Sequence, residues 1–422
     1  MTTFRQLSRN RDFTALWVGA TASELGTRVS AFAMPLVTFA MTRSTFWAAT
    51  AEAVQLGGMV LALLPAGVLA DRWHRLRLMR LSLLAGLLLQ GSVVAAGLLG
   101  ALTMPHLLVV ALVSGLASGM FGPSESSAIR TVVATEELPT ALSQQQARQH
   151  VAGLLGGPVG GALLGVARWA PFLADALTYA AGWLLLGRVR ADLSPEPRAL
   201  GAGAGRPMRD LGDGIRYTWS RPFFRVLLIW SPLINLTVNA LFFVALLRLV
   251  TAGFPAWQIG LVETAIGGCG ILGALAAPRL IDRLPTGRLT VAVAWSFVPL
   301  SVPLALWNNP AVMALAASVG IFLNPAGNAG VGSYRMAVTP ADLVGRVQSA
   351  MQFVSMVSMP LAPVLAGVLL AGFGGRDAVF ALTALTALVA LIPTLARSVR
   401  SIPRPAKWQQ VEQVQRPLAG VP

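Results

Sequence analysis

The chain has 422 residues, of which 55% are hydrophobic and 12% charged; soluble globular chains carry about 25% charged residues, so this one has too few to cover a water-facing surface of its size. The formal net charge is +15, but the basic residues lie between apolar blocks rather than in one patch. That distribution excludes a nucleic-acid-binding protein and places them where loops flank membrane spans.

The first twelve residues are polar, with Arg5, Arg9 and Arg11, and lack the cleavage pattern of a signal peptide, so the first apolar block is expected to stay in the protein. Blocks long enough to cross a bilayer core, about 20 residues each, then follow one another. The first six run Phe13–Met41, Phe46–Ala70, Met79–Gly100, Pro105–Ser127, Leu142–Ala167 and Pro171–Leu186. A segment from Arg188 to Pro222 comes next, with Pro195, Pro197 and a Gly-Ala-Gly-Ala-Gly run at 201–205; it reads as a flexible linker. Within it, Leu211, Ile215 and Trp219 recur at helical spacing beside Arg209 and Arg216, the pattern of a short amphipathic helix on a membrane surface. The second six blocks run Phe224–Val250, Trp257–Ile281, Leu289–Trp307, Ala311–Tyr334, Val347–Gly372 and Ala378–Ala396. The expected organisation is all-α and polytopic, with twelve transmembrane helices as two pseudo-symmetric six-helix bundles. Residues 1–187 form the N-terminal bundle, 188–222 the cytoplasmic linker, 223–397 the C-terminal bundle and 398–422 a cytoplasmic tail.

With the N-terminus inside, 27 of the 32 Lys and Arg residues fall in inside segments. Arg43, Arg168, Arg248 and Arg376 fall outside, and Arg28 lies within a span. This asymmetry places both termini in the cytoplasm, which for a bacterial chain means the inner membrane. Cys269 is the single cysteine, so no disulfide or thiolate metal site is expected.

The chain also matches itself. At an offset of 211, Glu52 meets Glu263, Gly57 meets Gly268, Asp71 meets Asp282, Arg72 meets Arg283 and Arg77 meets Arg288. At an offset of 205, Arg130 meets Arg335, Pro158 meets Pro363 and Ala176-Leu177-Thr178 meets Ala381-Leu382-Thr383. Coincidences among rare charged residues mark an internal duplication. Two parallel six-helix repeats predict a cavity between them near the bilayer midplane and alternating access by rocking.

Three segments carry a family resemblance. Gly67-Val68-Leu69-Ala70-Asp71-Arg72-Trp73-His74-Arg75, with its degraded copy Leu280-Ile281-Asp282-Arg283, resembles the loop between spans 2 and 3 of the major facilitator superfamily, with His74 in place of the second Gly. Gly156-Gly157-Pro158-Val159-Gly160-Gly161 resembles the Gly-Pro-rich span 5 of that superfamily's antiporters, and the stretch from Val338 to Val347 resembles a loop of its macrolide- and siderophore-exporting branch. The likeness covers about residues 10–397. It implies a gating role for Gly67, Asp71, Arg72 and Arg75 with Asp282 and Arg283. Asp71 is expected to accept hydrogen bonds from a facing helix and to pair with an Arg of the other half, as a two-state latch. Arg130 with Glu136 or Glu137, and Arg335 with Asp342, would be companion pairs, or these arginines only set topology. Gly157, Pro158 and Gly161 would mark the antiporter-type helix. The resemblance also implies an acid at the position of Thr27; the nearest here is Glu24.

Charges at membrane depth cost about 3 kcal/mol or more and face a cavity or a partner. Glu24 and Arg28 stand one helical turn apart in span 1, so they can pair. Glu24 lies about 16 Å into that span at 1.5 Å per residue and is the leading proton-coupling or cation-binding candidate, a static pair with Arg28 being the other reading. Glu52 and Glu263 are mates near the outer face, at a cavity mouth or at solvated helix ends. Asp175 reads as a structural hydrogen-bonding group. Asn235, Asn239, Gln55, Asn324 and Asn328 either line the substrate path or bond to neighbouring helices. Phe32, Trp230, Phe242, Met351, Phe353 and Met356 could form an apolar wall for a bulky ligand.

No Walker-type phosphate loop is present, His74, His106 and His150 lack zinc-ligand spacing, and position suggests no Ser/His/Asp set. The reading is a monomeric, cofactor-free secondary transporter, not an enzyme, exporting a small drug-like molecule or secondary metabolite against protons. Its alternatives are an importer or lysolipid mover on the same scaffold and a non-transporting membrane receptor or enzyme.

Overall fold

The computed structural model describes residues 7, 9–134, 137–194, 207–340 and 343–408. Among them there is no strand, and the chain folds as the all-α polytopic protein its sequence predicts. The first six spans are single helices: α1 (Arg11–Thr42), α2 (Thr45–Arg72), α3 (Arg75–Leu98), α4 (Met104–Val132), α5 (Leu138–Val166) and α6 (Ala170–Leu186). The amphipathic helix α7 (Pro207–Ser220) precedes α8 (Pro222–Thr251) and α9 (Ala256–Arg283). The next three spans are each broken in two, as α10 (Thr286–Trp295) with α11 (Val298–Leu306), α12 (Pro310–Ile321) with α13 (Asn324–Val338), and α14 (Val344–Val357) with α15 (Leu361–Phe373). The last span is α16 (Gly375–Leu395).

The breaks follow the prolines. Pro299, Pro325 and Pro360 stand at or beside the three interruptions, where a missing N–H and a clash with the carbonyl four residues back end one helix and start the next. Nine of the described stretches are long and apolar enough to cross a bilayer. α6 is apolar but has 17 residues. Two others, α1 and α5, are long enough but diluted by polar residues, notably Gln144 to His150 in the first half of α5. Polar residues gather where a helix faces a cavity rather than lipid.

The chain divides into two compact units. The first holds the described part of Met1–Ala204 with Leu246–Thr264 and Pro363–Ala371; the second holds the rest. In the first unit, small residues bring backbones into contact. A methyl group on Gly115 would meet the Gln55 carbonyl, one on Gly119 the Met59 carbonyl and one on Gly58 the Leu112 carbonyl, so α2 and α4 cross with no side chain between them. Gly156 and Gly160 receive Arg28, Val29 and Phe32 of α1. On another face of α5, Gly157 and Gly161 meet Gly260, Ala256 and Trp257 at the start of α9, where the Thr264 hydroxyl donates to the Leu154 carbonyl at 2.9 Å. Small residues at such crossings are how membrane helices gain packing without a hydrophobic driving force.

The linker is anchored at both described ends. Asp12 accepts the backbone N–H groups of Arg190 and Ala191, Arg75 N–H reaches the Leu193 carbonyl at 3.2 Å, and Leu193 is fully buried. Residues up to Ser194 therefore belong to the first unit's packing, beyond the expected start of the flexible stretch. The expected surface helix, α7, docks on protein in the second unit. Gly214 lies against the Arg346 carbonyl and Ala350 of α14, Thr218 is fully buried, and Trp219 is exposed. The sequence periodicity marks an apolar face but is silent on whether lipid or protein covers it. The second unit's core gathers Phe223, Phe224, Leu227, Trp230, Tyr334 and Met351. Asn235 donates to the Ser355 carbonyl and Ser358 to the Pro232 carbonyl, holding α8 to α14 and its C-terminal end.

The α2–α4 crossing sets a test of stability. Gly115→Leu must force the Gln55 backbone aside, an overpacking of about 2–3 kcal/mol. The variant is expected to unfold at lower temperature than wild type in detergent, whereas Gly91→Leu, at a glycine with open space around it, should not.

Candidate functional site

The first unit encloses a cavity of about 350 Å³. Four elements supply its charged and amide lining: Glu24 and Arg28 from α1, Glu52 and Gln55 from α2, Glu125 from α4 and Gln149 from α5. Met59, Phe121 and Tyr179 form apolar parts of the wall. Arg28 Nη2 lies 2.9 Å from Glu24 Oε1, and Nε donates to the same oxygen at 2.9 Å. The pair expected from the one-turn spacing thus forms, with Glu24 24% exposed and Arg28 50% exposed, so both remain open to the cavity.

Glu263 comes to this region from α9. Its carboxylate lies beside Gly157, at 2.7 Å from where a methyl group on that glycine would sit, and it feels the charges of Glu52 and Arg28. The duplication mates Glu52 and Glu263 are therefore within electrostatic reach in one unit. Sequence offset links the two acids but does not foretell their proximity; the glycines of α5 produce it by letting α9 approach.

A second ion pair escaped the sequence reading. Glu125, two residues before the expected inner end of span 4, is buried, and Arg148, counted among the inside arginines, is buried with it at side-chain exposures of 3% and 2%. Arg148 Nη1 and Nη2 donate to the two carboxylate oxygens at 2.6 and 2.9 Å, and Gln145 Nε2 adds a third bond at 3.1 Å. Arg148 is thus an internal partner rather than a topological charge. The signal in the sequence was one acid in span 4 and one base in span 5 at similar depth; counting charges by side of the membrane hid it.

Asp175 accepts from the Ser30 hydroxyl on one oxygen and lies 3.4 Å from the Thr178 hydroxyl on the other, and is fully buried. Thr27 shares a hydrogen bond with Tyr179 at 2.9 Å and donates to the Ser23 carbonyl, so a structural hydroxyl occupies the place where the resemblance implied an acid.

The remaining candidates separate. Asn235 bonds to the backbone carbonyl of Ser355 on a neighbouring helix and Asn239 to that of Asn235 one turn back, and neither is among the described residues that line the two cavities. Asn328 lines a separate cavity of about 380 Å³ in the second unit, with Arg335, Trp230 and Met351, and its side-chain amide donates to Asn324 Oδ1 at 2.8 Å. Phe32 is buried on α5, and Phe242 packs edge-on against Phe297 at 5.5 Å. Arg75 donates to the Thr131 hydroxyl at 2.8 Å, and Arg335 to Gln348 Oε1 at 2.8 Å. Arg130 is exposed at the end of α4. The side chains of Gly67, Asp71 and Arg72, and residues Glu136 and Asp342, lie outside the described residues. Asp282 and Arg283 end α9. Among the described residues, no group of His, Cys, Asp and Glu is arranged to hold a metal ion.

A polytopic helical fold with a polar, charge-bearing cavity inside a bundle of spans defines a multi-pass membrane transporter. The chain belongs to the Major Facilitator Superfamily, whose family profile matches residues 16–329. Among characterised relatives it is similar to the multidrug efflux pump Tap of Mycolicibacterium fortuitum, at 25% identity over 401 residues, covering 88% of this chain and 91% of that one. Its fold is similar to that of the nucleoside transporter NupG, with a TM-score of 0.77 at 10% identity over 91% of this chain and 99% of that one. It is also similar to a bacterial homologue of the lysosomal transporter Spinster in an inward-facing conformation, with a TM-score of 0.72 at 14% identity over 92% and 97%.

The buried pair yields a prediction. Removing one partner leaves an uncompensated buried charge and costs about 3–5 kcal/mol, whereas replacing both with apolar groups is close to neutral. Glu125→Leu and Arg148→Met are each expected to lower the unfolding temperature in detergent. The double variant should recover most of that loss, read as a non-additive double-mutant cycle.

Proposed function

We propose that this transporter is a proton-coupled antiporter that exports a small drug-like or secondary-metabolite molecule from the bacterial cytoplasm, as a monomer in the inner membrane with both termini inside. The observation that carries this reading is the Glu24–Arg28 ion pair on the wall of the 350 Å³ cavity, with Glu52 beside it and Glu263 within electrostatic reach. The similarity to a multidrug efflux pump and the close Gly157–Gly260 crossing in the Gly-Pro-rich helix also support it.

The chemistry follows from charge balance. Three carboxylates share this region with one guanidinium, so a proton and a cationic substrate would compete for the same acids. Protonating Glu24 removes the partner of Arg28 and frees the guanidinium to turn toward Glu52 or Glu263. A cationic or polar substrate entering the cavity competes for the same carboxylates and displaces the proton. Export coupled to proton entry results if the cavity opens to each side in turn, proton and substrate excluding each other. The duplicated halves, 1–187 and 223–397, joined by the linker 188–222 and followed by the tail 398–422, would supply that alternation. Asp71, Arg72 and Arg75 with Asp282 and Arg283 would act as the cytoplasmic latch.

The test is transport into inside-out vesicles under an imposed pH gradient, with cationic dyes and macrolides as substrates. Glu24→Gln keeps size and hydrogen bonding but cannot ionise. It is expected to lower gradient-driven uptake at least tenfold while leaving gradient-free equilibration of dye largely intact. Unchanged gradient-driven uptake in this variant would remove Glu24 from coupling.

A further inference from the structure

The second unit contains its own cavity, of about 380 Å³, whose character is opposite to that of the first. Among the described residues that line it, Arg335 is the one charged side chain and none is an acid; Asn328, Gln348 and Gln352 supply neutral amides, and Trp230 and Met351 supply apolar wall. The duplication explains how the two cavities came to differ. At the positions of Glu24, Arg28, Glu125 and Arg148, the second repeat carries Asn235, Asn239, Gly330 and Phe353. Those four charges have uncharged mates, Glu52 keeps an acid in Glu263, which belongs to the first unit, and Arg335 keeps the charge of its mate Arg130.

Two donors in this cavity are unmatched. Arg335 Nη2 donates to the Gln348 amide oxygen at 2.8 Å, a neutral acceptor, while Arg335 Nε is buried without a hydrogen-bond partner. Trp230 Nε1 is likewise buried without a partner, on a side chain 8% exposed. A buried N–H that forgoes a bond is rare enough to call for a reason, and here two of them lie on side chains lining the same pocket beside a cation. Their positions are fixed by a packed core. Trp230 and Met351 belong to one buried cluster with Tyr334, the residue before Arg335, Tyr334 packs edge-on against Phe223 at 5.2 Å, and the Asn235 and Ser358 hydrogen bonds hold the Trp230 helix to its neighbour.

We propose that this second cavity is a recognition pocket for an anionic group carried on a small aromatic or apolar molecule, with Arg335 as its charge anchor, Trp230 N–H as a second donor and the Trp230 and Met351 side chains against the apolar part. A guanidinium presents several N–H groups in one plane, which suits a carboxylate or phosphate oxygen pair, and the apolar wall beside it selects against a hydrated inorganic ion. The pocket does not depend on proton-coupled export: binding to it is a property of the protein at rest.

Titration calorimetry of the full chain in detergent tests this, with two probes of nearly identical shape, 1-naphthoate and neutral 1-naphthamide. Wild type is expected to bind naphthoate at least tenfold more tightly than naphthamide. Arg335→Gln should abolish that preference, Arg335→Lys should keep part of it, and Trp230→Phe, which retains an aromatic ring but loses the N–H, should weaken naphthoate at least threefold. Glu24→Gln, in the other cavity, should leave naphthoate affinity unchanged. Equal binding of the two probes by wild type, or an undiminished naphthoate preference in Arg335→Gln, would overturn the proposal. If Arg335→Gln does not yield a monodisperse folded protein, Trp230→Phe decides alone: naphthoate affinity within threefold of wild type would sink the pocket. Loss of transport by Glu24→Gln with intact naphthoate binding separates the fate of this inference from that of the export mechanism.

Discussion

A charge inside a bilayer has nowhere to be solvated unless the protein supplies a partner or a water-filled cavity, and this constraint organises the molecule. Each intramembrane acid meets it differently. Glu125 is sealed in a bidentate pair with Arg148 and a third bond from Gln145. Asp175 is held by neighbouring hydroxyls in a fully buried site. Glu24 is paired with Arg28 but left open to a cavity. The first two solutions are buried, and their hydrogen bonds fix helices in place. The third leaves the pair open to the cavity. The difference between a structural and a working charge is access to water.

Glycine decides where those charges can meet. The α2–α4 crossing at Gly58, Gly115 and Gly119 places Gln55 and Glu52 on the cavity wall, and the approach of Arg28 to Gly156 sets the depth of the Glu24 pair. On the opposite face of α5, Gly157 and Gly161 admit the start of α9 closely enough for Glu263 to join the same electrostatic neighbourhood. A side chain at any of these positions would meet the facing helix too closely and force it to shift. The Gly-Pro-rich helix is therefore both a packing element and the reason two duplicated acids come within electrostatic reach.

Duplication conserved the scaffold and redistributed the charge. The first repeat concentrates carboxylates around one cavity; the second retains a single guanidinium around another. Charged mates survive at helix ends, as with Asp71 and Asp282 or Arg72 and Arg283, while inside the spans Glu52 and Glu263 match but Glu24, Arg28, Glu125 and Arg148 do not. Ends answer to topology and gating, which both halves share. Interiors answer to what each cavity must hold, which they need not share.

By itself the sequence determined the membrane character, the helical class and the positions of the spans, because hydropathy and helical periodicity are local properties of the chain. It also determined the Glu24–Arg28 pair, since a four-residue spacing on a helix is geometry known in advance. Only the tertiary structure decided that Arg148 belongs to Glu125, that Asn235 bonds to the Ser355 carbonyl, that α7 docks on α14, and that Glu263 lies beside Gly157. Each of those depends on which faces of distant helices meet, and that is set by the summed fit of small residues across crossings, a quantity no single stretch of sequence contains.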